Sequence, residues 1–399
     1  MKNLILAGGR AREELSVLVP PGKNKVLLKI MGKPVIYYPL TNLQRVSRAE
    51  TLLVYRVGEE SVYREASQYS LETLTPIPQQ SGETIHDAIL AAKDKLNDTD
   101  HFFLVFGDII VEQDAFSQLL SIHLSEEPDA TLLAIPLEPR HIETYGLLSI
   151  NEDSYVDKVL DKPISETTKP LYIAGGAYIL PTWIIDLLEK QYTLPQALNE
   201  VASKGKVRAV YWSNTWIDIG YPSDLLEATY QLLSRIRDVS ISGKAEIEKT
   251  AVIEGPVVIE DHAYIDHYVV IKGPAYIGDG AFIGTHSFIR DYTNIESKTR
   301  LGAYNEVRYS NIQSYTLMHS RVIVMDSLIG ENTVFEPNIT ILNVLPEEEE
   351  PPRLRTHIVK KPTKTLKKMG AVIGYNVRIN SGTIIKPGEI IEPNTIVGK

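Results

Sequence analysis

Asp108 stands directly after Gly107, at the end of the apolar run Phe102-Phe103-Leu104-Val105-Phe106. A carboxylate at a strand tip is well placed to take Mg²⁺, a hard cation that prefers oxygen ligands. Near the amino end, Leu6-Ala7-Gly8-Gly9-Arg10-Ala11-Arg12 follows another apolar run. Small residues there let backbone N–H groups approach a phosphate chain, and the arginines can neutralise its charge. An ordinary turn fits Gly8-Gly9 equally well. Lys25 precedes Met31-Gly32-Lys33-Pro34. Further on come Tyr145-Gly146, Asp161-Lys162-Pro163, Gly175-Gly176-Ala177-Tyr178 and Trp216-Ile217-Asp218-Ile219-Gly220.

Strands and helices must hold these motifs. Apolar runs at residues 3–7, 51–56, 102–106 and 131–135 read as strands. Residues 84–96 carry Ile85, Ala88, Ile89, Ala92 and Leu96 at helical spacing, and residues 182–189 and 222–236 also read as helices. Pro222 suits the first position of the last helix, with Ser223 and Asp224 in its first turn. Strands alternating with helices predict a Rossmann-like α/β layer fold with a mostly parallel sheet. Ligands of such sheets bind beyond the carboxyl ends of the strands, where the motifs fall.

From Ile241 a different rule takes over. An aliphatic residue returns at every sixth position, through Ile247, Ile253, Ile259, Ile265, Ile271, Ile277, Ile283, Ile289, Ile295, Leu301 and Val307. Small or β-branched residues such as Ala245, Ala263, Ala275 and Thr293 recur four places later. Six does not fit a 3.6-residue helical turn. It fits a parallel β-helix of triangular coils, with the aliphatic residues stacked inside. The register breaks after Val307 and returns at Leu317, Ile323, Ile329, Phe335 and Ile341. It breaks again near residues 345–368, read as a loop leaving the solenoid, and resumes at Ile373, Ile379, Ile385, Ile391 and Val397. These residues divide the chain into domains 1–236 and 237–399, with the boundary near residues 236–239.

The order and spacing of the N-terminal motifs resemble the nucleotidyltransferases that make nucleotide sugars from sugar 1-phosphates (NDP-sugar pyrophosphorylases). The tail resembles the left-handed β-helix of hexapeptide-repeat proteins. The resemblance implies a nucleoside triphosphate and a sugar 1-phosphate as substrates. It implies Asp108 and Asp218 as shared ligands of Mg²⁺, and Arg12, Lys25 and Lys162 as phosphate-facing residues of the reaction. Leu6, Ala7, Gly8, Gly9, Arg10 and Gly107 would line the nucleotide, and Gln79 or Gln80 would face the base. Gly146, Asp161, Gly176 and Trp216 would face the sugar. The chain departs from the family at Ala11, where the family has Gly, and at Glu13, Asn24 and Asp161. A positive φ at Ala11 would strain the loop. A regulatory paralogue with weakened chemistry therefore stands as an alternative. Acyltransferases of the β-helix type imply a second alternative, an amino-sugar acetyltransferase using His319 and Asn343, with Lys360 and Lys361 nearby.

The chain has 399 residues, a formal net charge of −10 and no cysteine. Disulfides, zinc thiolates and thiol nucleophiles are excluded. The acidic balance argues against nucleic acid or an anionic membrane as partner. No apolar run approaches the roughly 20 residues of a membrane span. These features predict a cytoplasmic protein, and a flat repeat face predicts a homo-oligomer built through the β-helix.

Overall fold

The computed structural model describes residues 1–136, 147–160, 172–345, 357–361 and 364–398. The chain packs as two compact units, one of Met1–Gly9 with Val35–Asp218 and one of Arg10–Pro34 with Ile219–Lys399.

Among the described residues the first unit is built on a nine-stranded sheet. Lys2–Leu6 lies between Thr51–Arg56 and His101–Phe106, parallel to both, and Leu74–Gln79 extends the parallel half. The long strand Tyr172–Pro181 runs antiparallel to His101–Phe106 and to Ala130–Pro136. The sheet is thus mixed: alternating strands and helices make its parallel part, and Tyr172–Pro181 adds an antiparallel arm. The parallel strands are near-continuous apolar runs because helices cover the sheet. Leu4, Leu52, Phe102 and Leu104 are fully buried in one cluster with Ile89 and Leu96.

The helix expected over residues 84–96 forms as two pieces, Ile85–Ala91 and Lys93–Leu96, with Ala92 at φ −98° and ψ 0° between them. Thr84 and Asp87 form a capping box at its start. Pro222 opens the helix Pro222–Leu233.

Helix Gln113–Glu126 buries His123, whose Nδ1 lies 2.9 Å from Thr131 Oγ1 and whose ring meets His101 edge-on at 4.9 Å. Burial pushes the His123 pKa down to about 4. A base depressed in the folded state is neutral there, while the unfolded chain binds a proton below its ordinary pKa of 6.5. Stability is therefore present above about pH 6.5 and is lost as pH falls toward 4, by up to about 3 kcal/mol. The urea midpoint is expected to fall between pH 7 and 4.5, and to fall less in His123→Gln. Equal slopes for both proteins would contradict this.

The second unit is built on a left-handed parallel β-helix, with residues 10–34 and helix Pro222–Leu233 in the same unit. Among the described residues its three sheets hold eight, eight and seven short strands. Ile259, Ile265, Ile271, Ile277, Ile283, Ile289 and Ile295 are buried to within 1% and form one continuous core, stacked sheet by sheet. Ile241 departs from the expected pattern and is 42% exposed, because no coil precedes it. The register after Val307 also differs from the sixfold reading. Ile295 pairs with Ile312 and Leu301 with Met318. Met318 and Val324 point inward, while Leu317 and Ile323 are only partly buried. Two corners are each one residue shorter, and serines turn them. Ser310 Oγ donates to the Arg308 carbonyl and accepts from the Ser327 N–H, and Ser327 Oγ donates to the Met325 carbonyl. The excursion near residues 345–368 includes an antiparallel hairpin, His357–Lys361 with Lys364–Lys368.

Candidate active site

The parallel strands of the first unit end on one edge. Leu6 is aligned with Val54 and Phe106, and Arg56 with Gln79. Ala7-Gly8-Gly9, Arg56, Gln79 and Gly107-Asp108 therefore gather at the carboxyl ends of neighbouring strands. The Ala7 N–H donates to the Val54 carbonyl, and the Gly107 N–H to the Leu6 carbonyl, each at 2.8 Å. A Cβ on Gly107 would lie 2.8 Å from Ile36 Cδ1 and 3.0 Å from the Leu6 oxygen. A side chain there would crowd Ile36 and the Leu6 carbonyl, so glycine suits the turn that presents Asp108.

Asp218 arrives from far along the sequence. Trp216–Asp218 pairs antiparallel with Ile109–Val111, and Asp218 stands opposite Ile109, the residue after Asp108. Opposed residues of such a ribbon lie about 5 Å apart at Cα. The two aspartates thus flank the same end of one ribbon, both half-buried. Asn42 Nδ2 steadies the ribbon by donating to the Val111 carbonyl at 2.9 Å. Among the described residues no group of three or more His, Asp or Glu side chains gathers as a closed metal cage. A pair of carboxylates suits a cation that keeps water and phosphate oxygens in its shell, as Mg²⁺ does. The donor set fits that ion.

Trp216 Nε1 donates to the Gly175 carbonyl at 2.8 Å. The register of Tyr172–Pro181 against Ala130–Pro136 shifts between Ala174 and Tyr178, a bulge centred on Gly175-Gly176. Gly176 has φ +72°, and a Cβ there would meet Phe106 at 2.9 Å. Gly176 and Trp216 are thereby brought to the tip of the strand that carries Gly107-Asp108. Gly146, Asp161 and Lys162 lie outside the described residues.

In the Gly-rich loop Leu6, Ala7 and Gly8 are buried, while Gly9 and Arg10 are exposed. Arg56, at the end of its strand, donates from Nε to the Gly8 carbonyl at 2.6 Å and lies 3.6 Å from Glu83. Arg56 was not marked by any motif; its place at a strand end was the available signal. Gln79 is buried, with Nε2 donating to the carbonyls of Ser81 and Gly82. A Cβ on Gly8 would lie 3.3 Å from Gln79 Oε1. Gln80 is exposed. Neither Ala11 nor Gly8 nor Gly9 occupies the left-handed region. The expected strain at Ala11 is therefore absent: the loop turns without positive φ.

In the second unit Arg12 is exposed, with its guanidinium 4.2 Å above the Tyr221 ring and a hydrogen bond from Nη1 to the Tyr221 hydroxyl. Lys25 is buried, and its Nζ donates to the Ile219 carbonyl at 2.8 Å. Asn24, at the family's Pro position, caps the short 3₁₀ turn Lys25–Leu27 by accepting from the Val26 N–H at 3.2 Å. His319 follows Leu317–Met318 of the second β-helix sheet and is exposed. Asn343 follows Thr340–Ile341 of the third sheet, is buried, and donates to Asp326. Within one chain the two occupy different corners of the coil and do not form a pair. Lys360 and Lys361 lie on the hairpin, where the backbone alone is described.

Comparison with known proteins identifies the family. The model of the family described as nucleotidyl transferase matches residues 2–235, and that of the bacterial transferase hexapeptide (six repeats) matches residues 256–291. The bifunctional protein GlmU of Methanocaldococcus jannaschii is 30% identical over 100% of this chain and 93% of its own length. The protein of the same name from Methanococcus maripaludis is 31% identical over the same shares. A bifunctional sugar-1-phosphate nucleotidylyltransferase/acetyltransferase of Sulfurisphaera tokodaii is 27% identical over 97% of this chain and 93% of that protein. With its Gly107-Asp108 edge, its Trp216–Asp218 ribbon and hexapeptide repeats later in the sequence, the chain belongs to the nucleotidyl transferase family.

Proposed function

We propose that this chain transfers a nucleotidyl group from a nucleoside triphosphate to a sugar 1-phosphate, giving a nucleotide sugar and pyrophosphate. The observation that carries the reading is the pairing of Asp218 opposite Ile109, which sets Asp108 and Asp218 at one end of a ribbon. These two residues would hold Mg²⁺, which when bound neutralises phosphate charge on both sides of the bond that breaks. The sugar phosphate oxygen attacks the α-phosphorus in line, and the chain's task is to orient two anions and offset their repulsion. Gly8 and Gly9 offer close backbone approach to the triphosphate, and Arg10, Arg12 and Lys25 supply positive charge. Gly176 and Trp216 shape the sugar side, with Gly146, Asp161 and Lys162 completing it. Gln79, buried beside Gly8, is better set than Gln80 to face the base. The reaction belongs to residues 1–236, while residues 237–399 assemble a homo-oligomer in the cytoplasm. Pyrophosphate release across a panel of nucleoside triphosphates and sugar 1-phosphates tests the reading, and its absence for every pair would favour the regulatory alternative.

The loop gives a separate prediction. Calorimetric titration with the preferred nucleoside triphosphate and Mg²⁺ is expected to show binding in the intact chain. Joint Arg10→Ala and Arg12→Ala replacement should weaken it by about a hundredfold or more, because each charge-assisted contact to phosphate contributes about 1.5–3 kcal/mol. Unchanged affinity would remove both arginines from the nucleotide site. Acetyl transfer is the second reading, favoured by the name of the Sulfurisphaera relative, which covers both domains. Because His319 and Asn343 sit at different corners, that site would need residues of two chains, and coenzyme A release from acetyl-CoA with amino-sugar phosphates tests it.

A further inference from the structure

Asn294, Glu296, Asn311 and Gln313 flank the inward Ile295 and Ile312 on the first sheet of the β-helix, so alternation points them outward. Outward polar side chains are normally wet. These four are buried, Asn294, Glu296 and Asn311 completely and Gln313 to 6% exposure. What covers them is the hairpin of Lys29–Ile30 and Lys33–Pro34, together with helix Pro222–Leu233.

The bonds run to the hairpin's backbone. Gln313 grips Lys29 from both sides: Oε1 accepts from its N–H at 3.0 Å and Nε2 donates to its carbonyl at 2.9 Å. The Met31 N–H donates to Asn294 Oδ1 at 2.8 Å, and the Gly32 N–H to Glu296 Oε1 at 3.1 Å. Asn311 Nδ2 donates to the Lys29 carbonyl and to Thr229 Oγ1. Met31 and Gly32 have φ of 53° and 73°. Positive φ at both central residues is the mark of a type I′ turn, and at Met31 it is held against an unfavourable backbone preference. Glu296 Oε2 has no hydrogen-bond partner, and burial pushes its carboxyl toward the neutral form. Covering these polar groups is costly, and the bonds to the hairpin backbone offset that cost, so the site tolerates no other arrangement of the hairpin without leaving buried groups unpaired.

The anchoring extends beyond the hairpin. The Val17 carbonyl accepts from the Tyr375 N–H at 3.1 Å, and Lys23 pairs with Glu331 at 2.7 Å. Walking from Val17 to Gly32, the partners step down through successive coils of the first sheet: Tyr375, Glu331, Gln313, then Glu296. Residues 17–32 thus lie lengthwise along the β-helix, and Lys25 sits in the middle of that stretch.

We infer that the first sheet of the β-helix is a positioning track for Lys25, with Asn294, Glu296 and Gln313 as its positioning residues, so that the repeat domain takes part in nucleotide binding as well as assembly. The inference rests on the nucleotidyl transfer reading, in which Lys25 faces the triphosphate. It is tested in the full chain by amide hydrogen exchange and steady-state kinetics on the Asn294→Ala, Gln313→Ala double variant. Exchange at Lys29 and Met31 should quicken by about tenfold or more. KM for the nucleoside triphosphate should rise by about tenfold, with KM for the sugar phosphate unchanged, a split that general loss of fold does not produce. Glu296→Ala should act likewise, and Glu296→Gln, which keeps the acceptor for Gly32, should restore the wild-type values. Gln313→Met keeps the volume and loses both bonds to Lys29, and replaces the double variant if that fails to fold. Unchanged exchange at Lys29 and Met31 would overturn the track. Faster exchange with unchanged KM and kcat would overturn its link to Lys25. If the intact chain transfers no nucleotide, the reaction reading alone fails, and the exchange result still decides whether the track exists.

Discussion

Asp218→Asn is expected to lower kcat for nucleotidyl transfer by about a hundredfold to a thousandfold, with the melting temperature close to wild type. The magnitude follows from losing one carboxylate that would hold the cation, since electrostatic stabilisation of this kind contributes about 3–4 kcal/mol and each 1.36 kcal/mol is tenfold in rate. The fold should survive because Asp218 joins its ribbon through backbone pairing with Ile109 and Trp216 is held by the Gly175 carbonyl. Asparagine keeps both features and removes only the charge. Asp108→Asn should cost a similar factor. The double variant should fall little further, because residues that act on one ion are strongly non-additive. Steady-state pyrophosphate release with circular dichroism checks all three. A rate within threefold of wild type for Asp218→Asn would remove the residue from the metal site.

The edge that carries this prediction was legible because its determinants are local. Gly107-Asp108 and Gly8-Gly9 each end an apolar run, and strand ends of an α/β sheet are where ligands bind. Trp216–Asp218 was legible only through resemblance, since nothing local says that it pairs with Ile109–Val111. Arg56 was missed because a lone arginine at a strand end has no spacing to mark it, although its bond to the Gly8 carbonyl supports the loop. The strain expected at Ala11 came from carrying over the family's glycine as though it marked a left-handed residue; in this chain the loop turns with negative φ, and the real crowding is at Gly8, against Gln79 and Arg56. The packing of residues 10–34 with the β-helix was invisible because it depends on outward polar side chains, Asn294, Glu296, Asn311 and Gln313, that no repeat position or motif marks.

Repeat periodicity located the β-helix but lost the register at its shortened corners, for a definite reason. Leu317 and Met318 are both apolar, as are Ile323 and Val324. A one-residue deletion moves the inward position from the first member of each pair to the second, and hydrophobicity cannot tell them apart. The ladder can: Leu301 faces Met318 and Val307 faces Val324. Period reading is strong where a single aliphatic residue is flanked by polar ones, and weak where two stand side by side.

That ambiguity sets up the largest stability effect. Ile265 is fully buried and stacked between Ile247 and Ile283 in the second sheet. Ile265→Asp places an unpaired carboxylate in an apolar interior, at a cost of several kcal/mol, comparable to the 5–15 kcal/mol margin of a whole domain. In a solenoid each coil rests on its neighbours, so the damage should spread along the stack rather than stay at one residue. Hydrogen exchange is expected to show the coils around Ile259 and Ile283 deprotected, and the first unfolding transition should move to a lower temperature. Ile241→Asp is the control on the same repeat position. Ile241 is 42% exposed, and its change should stay within about 0.5 kcal/mol. The register is tested in the same assay by Met318→Asp against Leu317→Asp. Met318 has no exposed surface, so its aspartate should be as damaging as that at 265, while the aspartate at 317 should be far better tolerated. Equal damage at 317 and 318 would contradict the shortened corner, and a wild-type transition in Ile265→Asp would contradict the interior stack itself.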